Sequence, residues 1–432
     1  MIKYLILKDF TVAINMDSGL STMIDGHVTD LNENVRNVLN SRGFFNKIQY
    51  NKIDKSTMTI VNPTICISSA CNLKCKYCYR SNMDISTNTL PFQTAKKFID
   101  SIISIYPDYE YLRIDLTGYG EPLLAFSEIK KLVIYAEERS TSNKKIDIGF
   151  TTNGVLLNDE IIDYLEQHKI YYGISIDGLK KQNDAYRKGY NIRSVFDLVD
   201  LNISKVNKKM IGVSSTLTNK SKKIIRMYNY YQKKFNVVTM KPVRLNSGLY
   251  DLKTSNMLIK EYRKLSKKLL THAINEDFGY ILPILRDEDF FGKYLKRVVA
   301  NVPVIARCGA ATTKIAIDVD QNFYICGAAI GNKKFIIGDL SSGIDEKKSD
   351  DIVNEIIDRK LCTDCWAKYV CGGPCLVQLH NISQDRDILD ENFCYLIKET
   401  IKITYEFKYN LIKSNSESYK FLYSKCLDMY YI

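Results

Sequence analysis

The sequence predicts an α/β fold whose core is a parallel sheet, and three observations predict it. Six β-rich runs, at 64–67, 112–117, 146–152, 171–176, 210–216 and 237–243, alternate with helical runs at 92–105, 127–139, 158–168, 195–206 and 220–234. Such alternation makes consecutive strands parallel, in a doubly wound sheet or a barrel. A hydrophobic content of 45% over 432 residues is ample for burying that core. Within 64–243 each motif that can carry chemistry falls just after one of the strands, where both architectures put their sites.

Taken in order, residues 1 to about 60 read as a small α+β module. Tyr4-Leu5-Ile6-Leu7 and Thr11-Val12-Ala13-Ile14 are strand segments, Ser18-Gly19-Leu20 is a turn, and a further strand precedes a helix from Asn32 to about Ser41, ended by Gly43. The first strand of the repeat then runs into Cys71-Asn72-Leu73-Lys74-Cys75-Lys76-Tyr77-Cys78. Three thiolates so close in sequence can ligate three irons of one cubane [4Fe–4S] cluster and leave the fourth iron open to a substrate. A zinc site or redox dithiol is the plainer alternative, but zinc fingers pair two Cys-x2-Cys knuckles and thioredoxins use one.

Beyond the second strand lies Thr117-Gly118-Tyr119-Gly120-Glu121-Pro122, beyond the third Thr152-Asn153-Gly154, and beyond the fourth Ser175-Ile176-Asp177-Gly178 with Asp184-Ala185-Tyr186-Arg187. A turn glycine or an N-cap explains any one of these alone. An amphipathic helical pattern at 257–275 carries no motif and reads as a helical bridge. Seven cysteines follow between 308 and 394: Cys308-x17-Cys326, then Cys362-x2-Cys365-x5-Cys371-x3-Cys375, then Cys394. A four-cysteine zinc knuckle from 362 to 375 would leave Cys308, Cys326 and Cys394 unexplained.

Composition removes several classes. Lys3, Lys8 and Asp9 interrupt the N-terminal apolar stretch, and no run of about 18 apolar residues offers a membrane span. The chain therefore reads as a soluble cytoplasmic protein with no membrane partner. Twelve cysteines, most in two tight groups, argue for metal ligation in a reducing compartment over a disulfide framework. The net charge of +12 is spread over basic helices that read as solvated faces, and with no RNA-binding motif beside it nucleic acid is not an expected partner.

The cysteine triplet with the motifs behind it resembles the radical S-adenosylmethionine (radical SAM) superfamily, and the seven later cysteines resemble its SPASM extension. The resemblance covers about residues 64 to 400. It implies a partial (βα)6 TIM-like barrel over 61–250, between the small α+β module (1–60) and a helical bridge (251–300), a SPASM domain (301–400) and a C-terminal helical tail (401–432). It implies three [4Fe–4S] clusters. Cys71, Cys75 and Cys78 hold the catalytic one, Cys362, Cys365, Cys371 and Cys394 the distal auxiliary one, and Cys308, Cys326 and Cys375 the proximal one; 301–307 holds no further cysteine for its fourth iron, which is expected to be open, the alternatives being Cys66, Cys426, a non-cysteine side chain or solvent. SAM is expected at Gly120 and Glu121 (methionine ammonium), Tyr77 (adenine), and Ser175 and Arg187 (ribose and carboxylate region), with Asn153 and Asp177 beside them. Two departures stand out: Tyr119 replaces a glycine, and Gln321, followed by Asn322, stands where the family has a turn glycine before its second cysteine.

The implied activity is reductive SAM cleavage to a 5′-deoxyadenosyl radical. The resemblance points to a maturase that modifies a ribosomally made precursor peptide by a thioether or carbon–carbon cross-link. A flavodoxin- or ferredoxin-like protein would supply electrons. Residues 1–60 resemble leader-peptide recognition modules, the alternative being a cap on the barrel. An anaerobic sulfatase maturase making formylglycine is the second reading. Against it stand Gly327, where those enzymes place an Asp base, and the seventy or so residues before the triplet. An RNA-modifying enzyme is the third.

Overall fold

Alternating apolar residues build the central sheet. The computed structural model describes residues 1–48, 54–78, 88–243, 250–358, 360–383 and 389–429; parts of the expected first module (49–53), barrel (79–87, 244–249), cysteine-rich domain (359, 384–388) and tail (430–432) lie outside the described residues. The chain opens with β1 (Ile2–Ile6), β2 (Phe10–Asn15) and β3 (Ser21–Asp25), an antiparallel meander, and α1 (Glu33–Ser41), whose N-cap Asn32 accepts from the Val35 N–H.

The barrel strands are β4 (Ile60–Val61), β5 (Thr64–Ile65), β6 (Tyr111–Asp115), β7 (Lys145–Thr152), β8 (Tyr171–Ser175), β9 (Ile211–Leu217) and β10 (Val237–Pro242). Between them run α2 (Phe92–Ile105), α3 (Phe126–Arg139), α4 (Asp159–Gln167), α5 (Lys180–Tyr186), α6 (Val195–Ile203) and α7 (Ile224–Lys234). From β5 to β10 the strands are parallel and neighbours in sequence are neighbours in space. That order never reverses, so the sheet is the partial (βα)6 barrel and not the doubly wound alternative. One face is buried under the helices, through Leu112 and Ile114, Ile146, Ile148 and Phe150, and Tyr172 and Ile174; the intervening residues are more accessible. The expected helix at 220 starts later, at Ile224, because a turn closed by Thr218 N–H on Ser221 Oγ (3.0 Å) occupies 218–221.

The strand expected at 64–67 ends at Ile65, and a short strand outside that range, β4, precedes it. Asn62 and Pro63 separate β4 from β5, both of which pair with β6; a proline has no N–H to give the ladder. The remaining elements are α8 (Leu252–Ile274), α9 (Phe290–Ala300), β11 (Ala316–Ile317), β12 (Asn322–Tyr324), β13 (Ile336–Asp339), β14 (Gly343–Ile344), α10 (Glu346–Asp358), α11 (Lys368–Cys371), α12 (Leu376–Ser383), α13 (Glu391–Ser414) and α14 (Ser416–Asp428). β11 adds parallel to β5, and β12 to β14 follow antiparallel, so the cysteine-rich region extends the barrel's own sheet. At the other edge the Asp289 carboxylate accepts from the Met240 N–H of β10 (2.7 Å). Both margins of the sheet are thereby covered.

The left-handed position of the β11–β12 turn falls on Gln321 itself (φ 69°), while Asn322 is already extended in β12. Asp318 Oδ1 organises that turn, accepting from the N–H groups of Asp320 (3.0 Å) and Asn322 (2.9 Å). Helix α13 runs unbroken from the turn of Cys394 through residue 400 into the tail and packs on α8 and α9. It also holds the N-terminal module: Tyr409 stacks on Phe10 with centroids 4.1 Å apart, and Asp25 accepts from Tyr409 Oη (2.9 Å) and Lys413 Nζ (2.7 Å).

Candidate functional site

The Cys71–Cys78 loop leaves β5 and is held from two sides. On one, Lys74 N–H donates to Lys188 O (2.7 Å) and Lys76 N–H to Tyr186 O (2.9 Å), so the segment after α5 clips the loop by its backbone. On the other, Gly118 and Gly120 let the exit of β6 lie directly against the start of the loop. A Cβ at Gly120 would come within 2.1 Å of Ser68 O, and one at Gly118 within 2.2 Å of Cys66 Sγ. The close approach that Gly120 permits is thus made by the chain's own carbonyls, with Glu121 N–H donating to Ala70 O (2.7 Å).

Two buried networks meet at this loop. In the first, Glu121 accepts from Thr152 Oγ1 (2.5 Å) and Leu123 N–H (3.1 Å) on one oxygen and from Asn153 N–H (2.8 Å) on the other. Burial raises its carboxyl above the usual range, against the pull of those hydrogen bonds. Asn153 Nδ2 in turn donates to Asn72 Oδ1 (2.7 Å) and lies 4.0 Å from Cys71 Sγ. In the second, Asp177 accepts from Arg187 Nε (2.9 Å) and Nη2 (3.2 Å), from Thr216 N–H (2.8 Å) and from the Tyr77 hydroxyl. The guanidinium lies 5.6 Å from the Tyr77 ring centroid, and Asn183 Oδ1 fixes Asp177 by its N–H (3.0 Å). Burial pushes the Tyr77 hydroxyl well above its ordinary value, with Arg187 opposing and Asp177 reinforcing the shift. Ser175 ends β8 beside Ser214 of β9. Of the expected positions, then, Tyr77, Asp177 and Arg187 form one unit, and Gly120, Glu121 and Asn153 another around Cys71.

Thr152, Asn72, Asn183 and Thr216 complete these networks and were not among the expected positions. Thr152 left a signal, because it is a polar residue on the buried register Ile146-Ile148-Phe150. Thr216 left none, because it acts through its backbone.

The thiols fall into three neighbourhoods. Cys75 is pushed up to about 11 by burial, with Arg187 lowering it and Asp177, Cys78 and Cys71 raising it. Cys326 is raised to about 12 by burial and by Cys375 and Cys308. Cys394 is raised to about 12 by burial and by Cys371, Cys362 and Cys365, and a cavity lined by Arg307 and by Cys362, Cys365, Cys371, Cys375 and Cys394 opens between them. Thiols that burial and mutual repulsion keep protonated are a fitting donor set for a cationic cluster, which would take them as thiolates. Among the described residues no three Cys, His, Asp or Glu side chains converge on a single-ion site; a cubane needs a wider cage, one thiolate per iron. Cys66 lies apart, its Sγ 3.4 Å from Ser68 O, and Cys426 is buried on α14 within reach of Lys296 and Lys408.

Residues 65–219, the strands and networks just described, match the radical SAM superfamily, and the chain is 33% identical over 210 residues to an uncharacterised protein of Methanocaldococcus jannaschii, covering 48% of this chain and 71% of that one. The chain belongs to the radical SAM superfamily. It is also 22% identical over 338 residues to the serine-type anaerobic sulfatase-maturating enzyme of Klebsiella aerogenes, covering 74% and 80% of the two chains. In fold it is similar to anSMEcpe with bound AdoMet (TM-score 0.66, 18% identity, 82% of this chain and 99% of that) and to Streptococcus suis SuiB bound to precursor peptide SuiA (TM-score 0.51, 18% identity, 88% and 96%). As a radical SAM enzyme it uses SAM and a [4Fe–4S] cluster. No helix among the described residues is long and apolar enough to cross a membrane.

Proposed function

We propose that this radical SAM enzyme is a peptide maturase that forms a thioether or carbon–carbon cross-link in a ribosomally made precursor. SAM bound at the Cys71–Cys75–Cys78 cluster supplies the 5′-deoxyadenosyl radical, with electrons from a flavodoxin- or ferredoxin-like donor. The chain's part is to position it. The Glu121–Asn153–Asn72 and Asp177–Arg187–Tyr77 networks hold the loop rigid at the strand ends, where an open barrel face admits the peptide. The cysteine-rich region is the SPASM domain on this reading and carries two further clusters.

The observation that carries the reading is the N-terminal meander. Its β3 edge is closed: the Asn301 carboxamide accepts from Ser21 N–H (3.2 Å) and donates to Ser21 O (3.0 Å). β1 pairs with β2 alone among the described strands, and a groove of about 450 Å³ lined by Ile2, Tyr4, Arg36 and Phe45 adjoins it. An extended leader peptide adds to such an edge by β-augmentation. The similarity in fold to SuiB, which spans 88% of this chain, supports the same reading.

Sulfatase maturation is the second reading, favoured by the sulfatase-maturating relatives and by the higher TM-score to anSMEcpe. Against it, Gly327 stands where the base is expected, and a Cβ there would come within 2.9 Å of the Thr64 side chain. The test is anaerobic turnover with a short precursor encoded beside the enzyme and with a sulfatase-derived peptide, read by mass spectrometry. Loss of two hydrogens from the precursor, located by fragmentation to a cross-link, supports the proposal; formylglycine in the sulfatase peptide with an untouched precursor ends it. Removing residues 1–60 is expected to weaken precursor binding and spare uncoupled SAM cleavage.

A further inference from the structure

Helix α9 is buried at every position, although it carries Lys293, Lys296 and Arg297 at 9%, 2% and 6% exposure. Buried cations are normally matched by carboxylates. Here Asp287 lies 2.6 Å from Lys296 Nζ and 3.9 Å from Arg297 Nε. The nearby Asp289 is committed to the backbone N–H groups of Gly292 and Met240. Lys293 has no carboxylate within ion-pairing distance among the described residues, and its ammonium lies 4.7 Å from the Tyr294 ring centroid.

What Arg297 faces, together with Arg307 beyond the helix, is the cysteine-rich region. Arg297 Nη1 donates to the carbonyls of Val370 (2.9 Å) and Cys371 (3.0 Å), Arg307 Nη1 donates to Gly373 O (2.8 Å), and Arg307 lines the cavity of the cysteines. Gly372 makes the approach possible, since a Cβ there would meet Arg307 Cα at 2.9 Å. The two arginines have a structural task in these carbonyls. Lys293 has none: burial pushes its amine well below the ordinary lysine value, Arg307 and Arg297 lower it further and Cys371 raises it, so it holds its charge where negative charge gathers at Cys371.

We propose that Lys293, seated with Arg297 and Arg307, is the built-in counter-charge for the metal-bearing thiolates of the cysteine-rich region and favours their reduced state. This rests on the reading that these cysteines hold clusters. A cubane with thiolate ligands is anionic and gains one further negative charge on reduction, so a fixed cation beside it stabilises the reduced form more. Lys293 is a positioning residue for charge and makes no contact with substrate.

The test uses full-length, anaerobically reconstituted protein carrying Cys71→Ala, Cys75→Ala and Cys78→Ala, so that the remaining iron reports on the C-terminal region. Iron and sulfide are quantified first, and the midpoint is then titrated with dithionite and mediators, followed by electron paramagnetic resonance. Lys293→Met is expected to weaken the preference for the reduced state about tenfold, the effect of one charge at about 12 Å in a medium of effective dielectric about 20. For a one-electron couple that is a midpoint lower by about 59 mV. Lys293→Arg should hold the parent midpoint. Should Lys293→Met fail to retain iron while Lys293→Arg retains it, the charge requirement stands. Full iron with an unmoved midpoint in Lys293→Met overturns the inference alone. A parent protein without iron in this region overturns the cluster reading beneath it.

Discussion

Replacing Asp177 by Ala is expected to be among the most damaging single changes in the barrel, and its cost can be worked out from the contacts. The carboxylate is 2% exposed and accepts four hydrogen bonds: two from Arg187, one from Thr216 N–H and one from Tyr77. Its loss strands the Arg187 guanidinium, itself 7% exposed, and breaking one side of a buried ion pair costs about 3–5 kcal/mol. An unsatisfied Thr216 N–H adds about 1–3 kcal/mol. The sum, roughly 4–8 kcal/mol, rivals the entire stability of a typical domain, about 5–15 kcal/mol. Because the residues on either side of Arg187 clip the cysteine loop through Tyr186 O and Lys188 O, loss of order there should also reduce iron at Cys71, Cys75 and Cys78. The assay is anaerobic urea unfolding with iron quantification. Asp177→Ala should lower the midpoint steeply, and Asp177→Ala with Arg187→Met should recover most of the loss, since the stranded charge is gone. If Asp177→Ala unfolds at the parent midpoint with full iron, or the double variant is worse than the single, the ion pair is not what holds the loop.

Reconstituted protein should hold about twelve irons, and the Cys71→Ala, Cys75→Ala, Cys78→Ala variant about eight, without SAM cleavage; zinc in place of iron would contradict this. Gly120→Ala should cost at least about 1–3 kcal/mol in thermal or urea unfolding, because its Cβ would sit 2.1 Å from Ser68 O and backbone must move. Gln321→Gly should stabilise by up to about 1 kcal/mol, since glycine adopts the left-handed backbone found there (φ 69°) without a Cβ penalty. Burial lowers Lys408 to about 8, with Cys426 opposing. A depressed lysine contributes stability above its unfolded value, about 10.4, and loses it as pH falls through about 8, so stability should rise over that window by about 3 kcal/mol. Lys408→Met should flatten that slope in urea unfolding from pH 7.5 to 10.5.

The barrel was legible because its information is local. Period-two burial in β6 to β8 and helical spacing in α2 and α3 follow directly from the apolar pattern, and the motif residues sit where strands end. What the pattern left open was strand order, which is a property of the whole sheet. It also did not disclose that β11 would pair with β5 across some 250 residues of chain, since a two-residue strand carries no periodicity. At the site, the motif residues were visible by type but their partners were not: Asp177 and Arg187 are ten residues apart, yet the Tyr77 that joins them is a hundred residues earlier. The unmatched charge on α9 was hidden for a related reason. Lys293, Lys296 and Arg297 read as an ordinary basic helix face, and only the packing of α13 and the cysteine-rich region against α9 makes them interior.

The two departures from the family pattern fall in one electrostatic neighbourhood. Tyr119, in place of a glycine, is 6% exposed and lies in the electrostatic reach of Cys66, Asp318 and Tyr324, with burial the main cause of its raised hydroxyl pKa. Asp318 is the residue that closes the β11–β12 turn, and it also accepts from Tyr324 Oη (2.9 Å). Gln321 holds that turn's left-handed position. Tyr119 at the β6 exit therefore stands within electrostatic reach of the carboxylate that closes the turn. A strained turn persists when its surroundings over-determine it, and Asp318, pinned from the turn and from Tyr324, supplies that constraint. The exit of β6 and the hairpin leading to Cys326 thus bring buried polar groups together on the side of the sheet where β11 meets β5.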